Sequence, residues 1–140
     1  MAITQAIANA FKKQLLEGDQ NFASGGDVFK LALYTSSATL NSATTAYTAS
    51  NEVANSGTYA AGGGDLTGQN TSIASGVAIV DFADLSFTGV TLTARGALIY
   101  NTSSAVTNAA VAVLDFGADK TATSGTFTVQ FPAFTTAAAI

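Results

Sequence analysis

Histidine, cysteine and tryptophan are all absent from this chain of 140 residues. Without histidine the chain lacks the most common general base, and without cysteine it lacks a thiol nucleophile. The same two absences remove the nitrogen and sulfur ligands of most zinc and copper sites. The composition therefore predicts a protein that is not an enzyme and that holds neither a metal ion nor another cofactor.

Charge is also scarce, because only 10% of the residues are charged, whereas an average soluble domain has about 25%. The formal net charge is −4, and the five cations are scattered along the sequence. A nucleic-acid-binding protein needs a clustered basic surface, so we expect no nucleic-acid partner. A surface of Ser, Thr, Asn, Gly and Ala has few charges to desolvate, which suits burial against other protein subunits.

Long apolar runs are missing as well. No stretch reaches the roughly 18 apolar residues that a membrane span requires. The N-terminus, Met1–Gln5, lacks the basic and apolar regions of a signal peptide. We therefore expect no membrane partner and synthesis in the cytoplasm.

Residues 1–18 have the spacing of an amphipathic helix. Their apolar side chains recur at steps of three and four residues: Ile3, Ile7, Ala10, Phe11 and Leu15. We predict an α-helix from Thr4 to Glu17, closed by Gly18 in the left-handed conformation. The helix could pack on its own domain or lie on a neighbouring subunit. In the second case Ile7, Phe11 and Leu15 would be the contacts between subunits.

Residues 19–140 are predicted to form a single β-rich domain. Apolar and polar residues alternate in Val28–Tyr34, and further strands are predicted at 77–82, 85–93, 95–100, 110–116 and 126–131. Strands at this spacing predict an antiparallel β-sandwich or barrel behind one N-terminal α-helix. The expected core consists of Phe29, Leu31, Leu33, Ile79, Phe87, Leu98, Leu114, Phe127, Val129 and Phe131.

The stretch from Thr35 to Ser75 has no clear period. So long a segment without structure is unusual in a compact domain. We predict a mixture of functional surface loop and short strands, at 44–49 and 70–74.

Few residues suggest chemistry. Asp81 and Asp115 each precede a phenylalanine at a strand end, and such a pair could bind a sugar or calcium. The favoured interpretation is that each carboxylate ends a strand or pairs with Arg95 or Lys120. The glycines of 62–64 lack the strand, helix and lysine of a phosphate loop, so they predict a flexible loop.

Arg95 is the only arginine. In so uncharged a chain it is either a structural anchor or a hydrogen-bonding fork between subunits. The favoured interpretation is an anchor to Asp81, Asp84 or Asp115.

Five strings resemble small virion structural proteins of tailed bacteriophages: Met1–Gly18, Phe29–Ala38, Thr93–Asn101, Val113–Gly117 and Ser124–Pro132. The resemblance extends over nearly the whole chain, because the strings are spread from residue 1 to residue 132 and keep the same order. The resemblance implies a capsid decoration or cement protein, a homo-oligomer whose partners are the major capsid protein or other virion subunits. It implies location in the virion after synthesis in the host cytoplasm. A tail or neck component and a carbohydrate-binding adhesin domain are the alternatives.

Overall fold

The computed structural model describes residues 2–132. In chain order its elements are β1 (Ala6–Ile7), α1 (Asn9–Glu17), β2 (Phe29–Tyr34), β3 (Gly64–Asp65), β4 (Asn70–Ala74), β5 (Val77–Asp81), β6 (Leu85–Asn101) and β7 (Ala109–Val129). A five-stranded antiparallel sheet has the order β1-β7-β6-β2-β3, and β4 and β5 form a separate hairpin. The predicted fold class is confirmed: the chain is mainly β, sandwich-like, with one short N-terminal helix.

The C-terminal half contains two long strands where the sequence predicted four short ones. The segments 85–93 and 95–100 belong to β6, and 110–116 and most of 126–131 belong to β7. Between the pairs Ala94–Lys120 and Gly96–Asp115 one residue of β6 faces four of β7. This bulge interrupts the alternation of side chains without ending either strand. The sequence pattern therefore indicated a strand end at a point where both strands continue.

The ribbon formed by β6 and β7 folds back on itself at this bulge. The rings of Phe116 and Phe127 lie 6.1 Å apart, although a straight strand would separate them by about 36 Å. Gly117, next to Phe116, has a φ of 79°, which glycine adopts without strain. The two strands therefore contribute to both layers of the molecule, which produces the sandwich-like form.

The core largely matches the expected one. Eight of the ten expected core residues are buried, while Leu114 and Phe131 are partly buried against the core. β2 is buried on both faces, including Ala32 and Tyr34 on the face expected to be polar. The following segment covers that face, since Tyr47 stacks on Tyr100 at a centroid distance of 4.8 Å.

The predicted start of the helix at Thr4 is wrong. The helix begins at Asn9, and the residues before it pair with other parts of the chain: Ile3 bridges to Leu40, and β1 pairs with β7. Sheet pairing satisfies their backbone groups, and it overrides the helical spacing of the sequence. The end is confirmed, because Gly18 closes the helix with a φ of 79°.

The unpatterned segment is a mixture of loop and short strands. The strand predicted at 70–74 is confirmed as β4, paired with β5. The strand predicted at 44–49 is wrong, because this stretch makes only an isolated bridge between Ala46 and Ala109. Residues 44–49 therefore lie over the sheet and do not form one of its strands.

Candidate interaction surface

The three helix-region residues predicted to contact other subunits lie in different environments. Ile7 is in β1 and is partly buried against the core. Phe11 is buried and packs edge-on against Phe22, at a centroid distance of 5.7 Å. Leu15 is 47% exposed, and the adjacent Leu16 is 91% exposed. Of the three predicted contact residues, only Leu15, near the end of the helix, is exposed to a partner.

A buried polar network fixes this helix end to the sheet. Asn101 at the end of β6 donates to Gln20 at 2.8 Å and to Asp27 at 2.7 Å. Gln20 in turn donates to Gln14 of the helix at 2.7 Å. Since each buried amide has a partner, the network holds the helix in one orientation. Leu16 is consequently presented outwards on a rigid element.

A second exposed apolar region lies at the tip of the β4–β5 hairpin. Ile73 is 77% exposed and Val77 is 42% exposed. The tip turns through Ser75 and Gly76, which both have positive φ. This tip carries no charge. The sequence did not indicate this region, because apolar residues in a strand do not reveal whether anything covers the face on which they lie.

Arg95 lies at the corner of the β6–β7 ribbon. Its Nε contacts Asp115 Oδ1 at 3.1 Å, and the Gly117 backbone N–H donates to the same oxygen at 2.9 Å. These two hydrogen bonds lower the pKa of Asp115, and the bond from Gly117 has the larger effect. Of the three acids considered as anchors, Arg95 therefore pairs with Asp115. The contact clamps the bulge at which the ribbon folds back.

The structure brings Asp81 and Asp115 to one cleft. The cleft has a volume of about 550 Å³, and Gln5, Phe116 and Phe131 also line it. Asp81 accepts a hydrogen bond from the Phe82 N–H at 2.9 Å. In the described part of the chain no group of three or more acidic side chains could share a metal ion. The cleft thus combines two carboxylates and an amide with apolar rings.

A cluster of hydrogen bonds around the Glu52 carboxylate holds the segment that follows β2, and the sequence did not indicate it. Glu52 accepts hydrogen bonds from Tyr47 at 2.5 Å, from Tyr59 at 2.8 Å and from the Gly62 N–H at 2.7 Å. Tyr100 donates to the Gly62 carbonyl at 2.6 Å, and burial raises its pKa to about 12. No regular spacing connects these residues, so no sequence pattern could have identified the cluster. Gly62, which the sequence placed in a flexible loop, is thus held by hydrogen bonds at both its N–H and its carbonyl oxygen.

These features give the molecule two apolar projections on a surface with little charge. Such projections suit contacts with other proteins, because they offer area to bury at low desolvation cost. No helix within residues 2–132 is long and apolar enough to cross a membrane. Comparisons of the chain with protein-family models, with curated proteins and with solved structures find no significant match.

Proposed function

We propose that this protein is a non-enzymatic structural protein of a bacteriophage virion. Its role in this proposal is that of a capsid decoration or cement protein, which binds the assembled shell as a homo-oligomer and stabilises it. The resemblance of five sequence strings to phage virion proteins supplies the family context. The partners would be the major capsid protein or neighbouring virion subunits.

The observation that supports the proposal most directly is the exposure of Leu16 and Ile73. Leucine and isoleucine side chains gain about 1.5–3 kcal/mol when they are fully buried. Here Leu16 is 91% exposed and Ile73 is 77% exposed, each on a regular element. Both would be covered in a complex with other subunits, where that burial contributes to binding.

Low charge supports the same role. The shell of a virion is crowded, so a decoration subunit loses most of the water around its contact surface. Only 10% of the residues are charged, and three ion pairs within residues 2–132 already engage six of them. Covering the rest of the surface therefore desolvates few unpaired charges.

The decisive experiment measures binding to purified particles that lack the protein. Leu16→Asp and Ile73→Asp place a charge in each apolar projection, and we expect both to weaken binding at least tenfold. Thr123→Asp adds the same charge at an exposed position of β7 and serves as the matched control. Circular dichroism checks that all three variants are folded. Unchanged binding by both apolar variants would contradict the proposed surface.

Copy number tests the place in the particle. Quantitative mass spectrometry of purified virions should find a decoration protein at a level comparable with the major capsid protein. A tail or neck component should be present in far fewer copies. A low copy number would therefore indicate that the same surface binds subunits of the tail or neck rather than the shell.

Glycan binding is a second candidate function, favoured by the cleft that Asp81 and Asp115 share. Carboxylates accept hydrogen bonds from sugar hydroxyls, and the ring of Phe131 offers an apolar wall. Calorimetric titration with neutral oligosaccharides tests this function. Binding that Asp81→Asn abolishes would support an adhesin role, whereas binding to particles without any binding to sugars would oppose it.

A further inference from the structure

Residues 47–63 cross the face of the sheet with few buried side chains. Among these 17 residues only Val53 and Tyr59 are buried. By contrast, most of β2 beneath the segment is fully buried. A segment with so few buried apolar groups has little stability of its own. Its attachment therefore depends on these two side chains and on hydrogen bonds to the sheet.

Glu52 is the centre of those contacts. Its carboxylate joins the start of the segment at Tyr47 to its end at Gly62, and it also accepts from Tyr59 between them. Tyr59 reaches into the sheet, where its hydroxyl accepts from the Leu33 N–H at 2.8 Å. One side chain thus connects both ends of the segment with the residue that anchors it to β2. Hydrogen bonds to a charged group are stronger than those between neutral groups.

The backbone of the segment lies directly on two strands. The Val53 N–H donates to the Leu33 carbonyl at 2.9 Å, and the Thr58 N–H donates to the Thr88 carbonyl at 3.1 Å. At Gly63 a Cβ atom would lie only 1.8 Å from the Leu31 carbonyl oxygen. The close approach depends on the lack of a side chain at Gly63, so the segment lies in direct contact with β2 at this end.

We infer that residues 47–63 form a strap that opens as a unit while the sheet stays folded, and that Glu52 is the latch that keeps it closed. When the strap opens, the outer edge of β2 at Leu33 loses its hydrogen bonds to Val53 and Tyr59, and the bridge between Tyr34 and Glu52 breaks. The ring of Phe87, 4.9 Å from Tyr59, loses its cover as well. An uncovered strand edge pairs readily with other chains, so the closed strap protects the subunit from such pairing.

Amide hydrogen exchange of the whole chain tests the inference. In the unaltered protein the amides of Val53 and Thr58 should exchange faster than that of Ile99 in β6, since the strap opens without global unfolding. Glu52→Gln removes the charge and one acceptor at nearly constant size. We expect it to speed exchange in the strap by about tenfold to a hundredfold, and to change exchange at Ile99 much less.

Glu17→Gln is the matched control, because Glu17 bonds only to the exposed Lys13 of its own helix. This variant should leave strap exchange unchanged. Two results would overturn the inference. The first is strap exchange as slow as that of Ile99 in the unaltered protein. The second is an equal acceleration of strap and sheet by Glu52→Gln, which would show that Glu52 stabilises the fold as a whole.

Discussion

The β6–β7 ribbon and the strap lie against each other, yet different forces hold them. In the ribbon, Leu98, Ile99, Val111 and Val113 are each at most 1% exposed, and cross-strand hydrogen bonds join the two strands along their length. In the strap only Val53 and Tyr59 are buried, and hydrogen bonds to the sheet and to Glu52 take the place of this continuous core. The ribbon distributes its stability over many similar contacts, whereas the strap concentrates it in few.

This difference determines how each region responds to substitution. A change in the ribbon creates a cavity or strains packing in the common core, so it affects the whole protein. A change in the strap breaks a local attachment and affects mainly the segment that it held. The following variants test the comparison, from the largest expected effect to the smallest.

Leu98→Ala should destabilise the ribbon most. Leu98 is fully buried, and truncation of such a residue costs about 2–5 kcal/mol in the free energy of unfolding. Chemical denaturation monitored by circular dichroism measures the loss. Thr123→Ala, at an exposed position of β7, should cost about 1 kcal/mol or less. Similar losses for both variants would contradict the assignment of Leu98 to the core.

Gly63→Ala should cause the next largest loss in the free energy of unfolding, because the added methyl group would push the strap away from β2. Gly63 has a φ of 82°, and the new Cβ would collide with the Leu31 carbonyl oxygen. Gly76→Ala is the matched control, since Gly76 has a φ of 78° but no atom within 4 Å of the added Cβ. The control should lose about 1–2 kcal/mol from backbone strain alone, as measured by denaturation. Equal losses would show that the strap does not lie on β2 as described.

All four tyrosines of the chain, three of them in the Glu52 cluster, should resist ionisation in alkali. Burial raises the pKa of Tyr100 to about 12, and burial also raises the pKa values of Tyr34, Tyr47 and Tyr59. Because the folded-state pKa values are raised, this contribution to stability is fully present below the unfolded pKa of about 10. It is lost as the pH rises through the folded-state values.

An absorbance titration of the phenolate checks this expectation. The folded protein should show little phenolate near pH 10, while protein unfolded in denaturant should be about half ionised there. Full ionisation near pH 10 with an unchanged circular dichroism spectrum would place the four tyrosines in water instead.

Asp115→Asn should have the smallest effect of the four, at the corner of the ribbon. The Gly117 N–H and Arg95 lower the folded-state pKa of Asp115. Its contribution is therefore present above the unfolded pKa of about 3.9 and is lost as the pH falls through the lower folded-state value. Asp115→Asn should reduce the melting temperature at neutral pH, and the difference from the unaltered protein should shrink in strong acid.

Asp119→Asn is the control for this charge, because Asp119 has no ion pair within the described residues. It should change the melting temperature less than Asp115→Asn at neutral pH. A reduction of equal size from both variants would indicate a general charge effect rather than a clamp at the corner.

Local sequence pattern predicted the elements whose environment is repetitive. Alternation at Phe29, Leu31 and Leu33 indicated β2, and Gly18 marked the end of the helix. The same alternation identified most of the core. Each of these features depends on residues that are neighbours along the chain, so a window of a few residues contains the necessary information.

The candidate surface was only partly predictable. The apolar stripe pointed to the helix, but it selected Phe11, which packs on Phe22 of the same chain, and not Leu16. Periodicity shows that side chains share a face. It does not show which face meets the rest of the protein, because that depends on contacts with distant residues.

The sequence by itself therefore determined a charge-poor, mainly β protein with one N-terminal helix and an apolar core. Tertiary structure alone decided the start of the helix, the corner of the ribbon and the role of Glu52. Ile3 bridges to Leu40 and β1 pairs with β7, the bulge interrupts the alternation of side chains within both long strands, and Glu52 comes near Tyr100 only after the chain has folded. Contacts between positions far apart in sequence leave no local pattern, because their energy appears only when the whole sheet has formed.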